Sequence, residues 1–249
     1  MSEQRLFGIH AVEALLTRDP SRLRQLWLVK GDLSTRLAKL AEQASAAGVA
    51  IEWRSRDELD AQSAGQRHQG VVAWSHGAER LSDQDLDGVL DSLTEAPFLL
   101  VLDGVQDPHN LGACLRSADA AGVHAVIVPK DRATGITDIV SKVACGAAEA
   151  VPFFQVTNLA RVLRDLQQRG IWLVGLDERG EQTLFDMDLT GPLALVLGAE
   201  GGGLRRLTRE HCDHVAVIPM AGTVSSLNVS VATGVCLFEA RRQRLGQAG

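Results

Sequence analysis

Leu195-Val196-Leu197-Gly198-Ala199-Glu200-Gly201-Gly202-Gly203-Leu204 is an apolar run that ends in a loop carrying four glycines in six positions. Apolar residues without polar alternation suit a strand covered on both faces, the signature of a parallel sheet. Glycine at the exit lets backbone approach a ligand closely and take positive φ. The spacing is not that of a dinucleotide fingerprint, because the third glycine counted from Gly201 would fall at Arg206, and no Walker lysine follows. A ligand loop at the carboxyl end of a buried strand is expected, and a nicotinamide or nucleoside triphosphate site is not.

Working outward from this loop, the same strand-then-helix rhythm recurs from Pro97 onward. Apolar runs Phe98–Leu102, Ala125–Val128, Val151–Phe154, Ile171–Leu176, Leu193–Leu197 and Val215–Ile218 read as strands. Helical spacing covers Asn110–Ala121, Ile136–Ala144, Asn158–Arg169, Leu204–His211 and Ser226–Arg242, with Gly122 and Gly170 as stops. Strands apolar on both sides and separated by helices predict an α/β domain with a parallel sheet over residues 96–249. Residues 1–76 alternate similarly. Helices are expected at Ile9–Leu16 and Leu33–Ala47 and strands at Leu26–Val29, Val49–Trp53 and Val71–Trp74. Ser55-Arg56-Asp57-Glu58 fits a capping box, in which Ser55 and Glu58 each satisfy a free N–H of a new helix. About 75 residues can fold as a unit.

Charge divides the chain in the same places. Of the net charge of −6, residues 1–76 contribute +1, residues 96–249 contribute −2 and residues 77–95 contribute −5. The middle segment is read as an acidic linker with a helical turn near Leu86–Leu93, solvated and repelling polyanions. With the negative excess so confined, nucleic-acid binding is neither supported nor excluded by charge. Hydrophobic residues at 45% suffice for a core, no apolar run reaches the roughly 18 residues that span a membrane, and no signal-peptide apolar stretch opens the chain, so a cytoplasmic protein is expected. Cys114, Cys145, Cys212 and Cys236 are too scattered for a zinc or disulfide framework and are read as reduced core thiols; no metal site is expected.

Two further segments carry polar residues where strands end. In Leu102-Asp103-Gly104-Val105-Gln106-Asp107-Pro108-His109-Asn110-Leu111-Gly112-Ala113-Cys114-Leu115-Arg116, Asn110 stands at a helix start and reads either as a helix cap or as a site residue. Arg116, flanked by the small residues Ala113 and Ala120, is either a surface ion-pair partner or a cation offered past the helix. In Ile218-Pro219-Met220-Ala221-Gly222-Thr223-Val224-Ser225-Ser226-Leu227-Asn228-Val229-Ser230, a loop feeds the last helix, with Ser225 or Ser226 as the expected cap. Ser226, Asn228 and Ser230 make that start more polar than packing needs.

These three segments, in this order, resemble the three motifs of the SpoU/TrmH branch of the SPOUT methyltransferases. Phe7-Gly8-Ile9-His10-Ala11-Val12 and Arg67-His68-Gln69-Gly70-Val71-Val72 resemble the front domain of its rRNA-directed members. The resemblance implies a C-terminal trefoil knot, a small L30e-like RNA-binding domain in front, a homodimer through the catalytic domain, and S-adenosyl-L-methionine as methyl donor. It implies 2′-O-methylation of a guanosine in the peptidyl-transferase region of 23S rRNA. It assigns Asn110, Arg116, Glu200, Ser226 and Asn228 to catalysis, and Gly198, Ile218, Met220, Leu227, Ser226 and Asn228 to the cofactor. Because a guanidinium holds its proton tightly, Arg116 is expected to stabilise charge rather than act as a base. Arg22, Arg24, Arg54, Arg56, Arg67 and His68 are candidate RNA contacts. The alternatives are a tRNA or an adenosine-directed rRNA 2′-O-methyltransferase of the same family, a non-catalytic RNA-binding protein, and a nucleotide-dependent oxidoreductase, which the broken fingerprint disfavours.

Overall fold

The structure, a computed structural model, describes residues 3–63, 65–76, 81 and 83–247. It divides into two compact units, residues 1–79 with 145–150, and residues 80–144 with 151–249.

The first unit runs β1 (Glu3–Phe7), α1 (Ile9–Arg18), β2 (Leu23–Val29), α2 (Thr35–Ala46), β3 (Ala50–Arg54), α3 (Arg56–Ser63) and β4 (Val71–His76). The sheet order is β1-β4-β2-β3. Because β4 is antiparallel to β1 and β2, and β2 is parallel to β3, the strands β1, β2 and β3 point the same way. Each is followed at once by a helix, so α1, α2 and α3 all begin at one edge of the sheet. Leu26 and Leu28 alternate inward with Leu6, Val71 and Ala73 and meet Val12, Leu15, Leu37 and Leu40 from α1 and α2. The expected capping box is formed: Ser55 N donates to Glu58 Oε2 at 2.8 Å, and Glu58 N to Ser55 Oγ at 3.3 Å.

The second unit holds α4 (Asp83–Asp91), β5 (Phe98–Asp103), α5 (Pro108–Ala121), β6 (Ala125–Pro129), α6 (Asp138–Ala144), β7 (Phe153–Val156), α8 (Leu159–Gln168), β8 (Trp172–Leu176), β9 (Gln182–Thr183), β10 (Leu193–Gly198), α9 (Arg206–His211), β11 (His214–Val217) and α10 (Val229–Gln247). The short helix α7 (Ala147–Ala150) groups with the first unit, where the Glu149 carboxylate is buried and takes Arg22 Nη2 at 2.9 Å. The sheet is parallel throughout, in the order β7-β6-β5-β10-β8-β11-β9. This is the α/β parallel-sheet architecture expected from the unbroken apolar runs. All six residues of β5 are buried. Leu99, Val101, Ala194 and Val196 face Val162, Leu163 and Leu166 of α8. The alternate residues face the side on which α5 and α10 pack together.

Of the segment read as an acidic linker, residues 77–80 and 82 lie outside the described residues; Asp83–Asp91 form α4. Leu86 and Leu90 of α4 sit in the core with Phe154, and Leu81, Val89 and Leu93 pack around them. The acids on the outer side are paired: Asp83 with Arg161 at 2.9 Å, and Asp87 and Asp91 with Arg169 at 2.8 and 2.7 Å. The helical turn expected near Leu86–Leu93 is the end of a longer helix, α4, whose i, i+3, i+4 apolar spacing packs it onto the sheet.

Candidate active site

Parallel strands bring their carboxyl ends to one edge, where α/β sheets hold ligands. Here that edge carries Asp103 after β5, Asp177 after β8, the glycine loop after β10 and the 218–228 turn after β11. Gly198 has no room for a side chain: a Cβ there would lie 2.0 Å from the carbonyl carbon and oxygen of Gly203. The loop folds back on itself, with Gly203 N donating to Ala199 O at 3.1 Å, and Gly201 and Gly203 take φ of +70° and +60°.

Two buried carboxylates that the sequence reading did not single out hold this loop in place. Asp177 accepts from Arg179 N at 3.0 Å, Arg179 Nε at 2.7 Å and Nη2 at 2.8 Å, and from Leu204 N at 3.4 Å. The Arg179 guanidinium, chiefly, holds the Asp177 carboxyl down at about 2. Asp103 Oδ2 accepts from Arg205 N at 3.2 Å, and its other oxygen takes Arg205 Nε at 2.5 Å. Each acid is the first polar residue after an apolar strand, which was the signal available for finding them.

Asn228 joins the three sequence segments. Its Nδ2 donates to Asn110 Oδ1 at 3.1 Å and also to Glu200 Oε1. Its Oδ1 accepts from Ser230 N at 2.9 Å and Ser230 Oγ at 2.6 Å. Between the two readings of Asn110 the structure decides against the cap, and the expected cap of the last helix is corrected. The cap of α5 is Asp107, which accepts from His109 N at 2.8 Å ahead of Pro108, so Asn110 is freed from capping and its carboxamide turns to Asn228. The helix after the turn begins at Val229, and its first-turn N–H group is met by Asn228 rather than by Ser225 or Ser226, which lie exposed in the turn. A side chain two residues before the N–H it satisfies is within the normal reach of an Asn cap.

Asn110, Glu200 and Asn228 are thus brought together, and Gly198 forms the root of the same loop. Ile218, Met220 and Leu227 are half-buried along the turn. Arg116 is exposed on α5, about 9 Å along the helix from Asn110 and roughly 120° around it. Close packing of α5 on α10, through Cys114 Sγ and Thr233 Oγ1 at 3.4 Å, fixes how the helices meet behind the site. Burial pushes the Cys114 thiol up to about 11, so it is inert. Cys236 is also buried, Cys212 is half-buried, and Cys145 is exposed, contrary to its reading as a core thiol.

The residues present fit S-adenosylmethionine. The wall of residues 198–203 and 218–228 offers half-buried apolar side chains, bare peptide groups and Glu200, and contains no cationic side chain to repel a sulfonium. The glycine cradle leaves close backbone approach open. Among the described residues no cluster of His, Cys, Asp or Glu is placed to hold a metal ion, and no helix is long and apolar enough to cross a membrane.

Comparison with known proteins agrees with this geometry. Residues 97–238 match the SpoU rRNA methylase family model, and residues 5–80 match the RNA 2′-O ribose methyltransferase substrate-binding model. The 23S rRNA (guanosine-2′-O-)-methyltransferase RlmB of Shewanella oneidensis is 59% identical over 96% of this chain and 97% of its own. RlmB of Escherichia coli K12 is 57% identical over 98% of this chain and all of its own length. The SpoU methyltransferase AviRb of Streptomyces viridochromogenes, solved in complex with AdoMet, superposes with a TM-score of 0.76 at 29% identity, covering 98% of this chain and 91% of AviRb.

Proposed function

The chain belongs to the SpoU rRNA methylase family, and on that premise we propose that it is an S-adenosylmethionine-dependent 2′-O-methyltransferase acting on a guanosine of 23S rRNA. The observation that carries the reading is the Asn110–Asn228–Glu200 junction, which ties three distant segments into one wall at the carboxyl edge of the parallel sheet. Near-complete coverage of the rRNA-directed relatives, front unit included, favours rRNA over tRNA as the substrate class.

When bound, S-adenosylmethionine supplies an electrophilic methyl group. The chain's own tasks are to seat the donor, to present a ribose 2′-hydroxyl in line with it, and to bear the charge that develops on the 2′-oxygen. Gly198 and the peptide groups of the 218–228 turn would hold the donor, with Ile218, Met220 and Leu227 supplying apolar surface beside it. Asn228 keeps Glu200 and Asn110 at fixed orientation, so the wall is rigid before substrate arrives, and positioning of this kind can supply up to about 7–11 kcal/mol of barrier reduction. Ser226, exposed in the turn, contributes a hydroxyl to the donor side. Arg116 would approach the ribose from further along α5, its guanidinium holding the adjacent phosphate and stabilising the oxyanion. The hydroxyl proton passes to solvent.

Three finer points belong to the same proposal. The trefoil knot is supported by the return of α10 onto α5 and β10 after the glycine loop. A homodimer through the catalytic unit is supported by Val231, Phe238 and Leu245 of α10, each about half exposed and spaced seven residues apart, a stripe suited to a second helix. Action on rRNA places the protein in the cytoplasm. Incubation with S-adenosylmethionine and 23S rRNA transcripts, followed by mapping of 2′-O-methyl sites, should give one modified guanosine in the peptidyl-transferase region. Donor binding without any 2′-O-methylation of rRNA would refute the reading. Phe238→Asp should sediment as a monomer if the stripe forms the dimer.

A further inference from the structure

The loops that form the donor wall do not by themselves suit a polyanionic substrate. Residues 103–110, 198–203 and 218–228 contain Asp103, Asp107 and Glu200 and no lysine or arginine. A phosphodiester strand brought to this edge meets acids, so cations have to come from beside the wall. Two nearby arginines are already engaged: Arg179 lies on the buried Asp177 carboxylate and Arg205 on the buried Asp103 carboxylate. Arg116 on α5 is one remaining source. The loop after β6 is another, with Lys130 and Arg132 on either side of Asp131, for a net charge of +1. Both cations are exposed, and among the described residues neither pairs with a carboxylate.

The course of this loop brings it to the donor wall. It leaves β6 with Lys130 N donating to Val156 O at 2.8 Å, then turns back so that Thr134 N donates to Val105 O at 2.9 Å. Gly104, at φ +95°, marks where it arrives. A Cβ on Gly104 would stand 3.6 Å from the carbonyl oxygen of Arg132 and 3.7 Å from the Cβ of Ala199, the residue before Glu200. The loops after β5, β6 and β10 therefore meet at Gly104, beside the wall built on Asn110, Glu200 and Asn228. The shape of the β6 loop is held as well. Gly135 has no room for a side chain, because a Cβ would lie 2.8 Å from Gln155 Nε2. Arg132 itself takes φ +58°, a left-handed conformation that glycine adopts far more easily. A long cationic side chain carried on such backbone is the kind of local strain found where a loop holds a ligand.

Resting on the functional reading above, we propose that Arg132 is a substrate-binding residue of the methyl-transfer site. With Arg116 on one phosphate beside the target ribose, Arg132 holds the phosphate on the other side of that nucleotide, and Lys130 adds charge next to it. A guanidinium grips a phosphate through two parallel N–H bonds, which fixes direction as well as distance. One anchor leaves the strand free to swing about it. Two anchors, on α5 and on the β6 loop, fix which way the ribose faces, and an in-line approach of the 2′-oxygen needs that.

The test pairs a change in the residue with a change in the phosphate. It uses the full chain and 23S rRNA fragments spanning the methylated position, each with one phosphate replaced by a neutral methylphosphonate. Arg132→Gly removes the guanidinium and suits the positive φ, so the loop keeps its course. It should weaken RNA binding in anisotropy about tenfold and lower the salt slope by about 0.7, with donor affinity in calorimetry unchanged. In the parent chain, a methylphosphonate at one of the two phosphates flanking the target nucleotide should cost a similar factor. In Arg132→Gly that same replacement should cost nothing further. Arg132→Lys should restore the salt slope and only part of the affinity, since a point charge lacks the paired N–H bonds. Unchanged RNA affinity in Arg132→Gly overturns the proposal. So does a weakened affinity whose penalty simply adds to that of the methylphosphonate at both flanking positions. Affinity is read without methyl transfer, so a parent chain that bound the fragment and left it unmodified would count against the catalytic reading alone.

Discussion

Both units gather the carboxyl ends of like-pointing strands along one sheet edge, yet the two edges are finished by different kinds of residue. In the first unit the edge is closed by three helix starts with Arg56 and Arg67. In the second it is closed by a glycine loop pinned by Asp103 and Asp177, with Glu200 on its rim. Sheet topology creates each edge, while the residues just past each strand decide which groups the edge presents.

The contrast is most exposed at Gly198. Gly198→Ala forces a Cβ against Gly203 backbone, which cannot give way as a side chain could. Donor binding in calorimetry should vanish and methyl transfer fall below detection, with a stability loss of about 1–3 kcal/mol in thermal melts. RNA affinity should persist, because the other edge is untouched; loss of both together would mean the edges are not separable. Next, Arg116→Ala should lower kcat about 10²–10³-fold while the donor Kd stays within a factor of two, as for removal of one oxyanion donor. Unaltered single-turnover rates would remove Arg116 from the mechanism.

Asn228→Ala removes both the Asn110–Glu200 link and the first-turn partner of α10. A loss of about 1 kcal/mol in stability and roughly tenfold in donor affinity is expected, readable by melting and titration. The Asp177 carboxyl is depressed from 3.8 to about 2 in the folded chain. A depressed acid stabilises the fold fully above its unfolded pKa and loses that contribution as pH falls through the folded one. Asp177→Asn should therefore melt lower than the parent at about pH 6, with the gap closing between about pH 4 and pH 2; a gap independent of pH would contradict the charged pairing. The smallest effect is on the other edge. Glu58→Ala unmakes half of the α3 capping box and should cost about 0.5–1 kcal/mol, seen as a shift of a few degrees in the melt.

Much of this was legible in the residues. Unbroken apolar runs announced the parallel sheet, Gly122 closes α5 with φ +79°, and the Ser55–Glu58 box formed as written. Local chemistry misled where two residues offered the same service. Asp107 outcompeted Asn110 for the start of α5 because Pro108 follows it in the first helical position, and Asn228 outcompeted Ser226 at α10. Within 83–91 the acids are not simply solvated, because their partners Arg161 and Arg169 lie some 80 residues away in the chain and no count of local charge could supply them.

Sequence alone settled most of the strands, though not β1 or β9, and marked which polar residues were too many for packing, because these follow from period and composition within a few neighbours. It could not settle that Asn228 reaches Asn110 and Glu200 across 118 and 28 residues, or that three helices start around one cavity in the first unit. Those are consequences of strand order and direction. Side chains distant in the chain share an edge only once the backbone hydrogen bonds of the sheet have chosen which strands lie side by side.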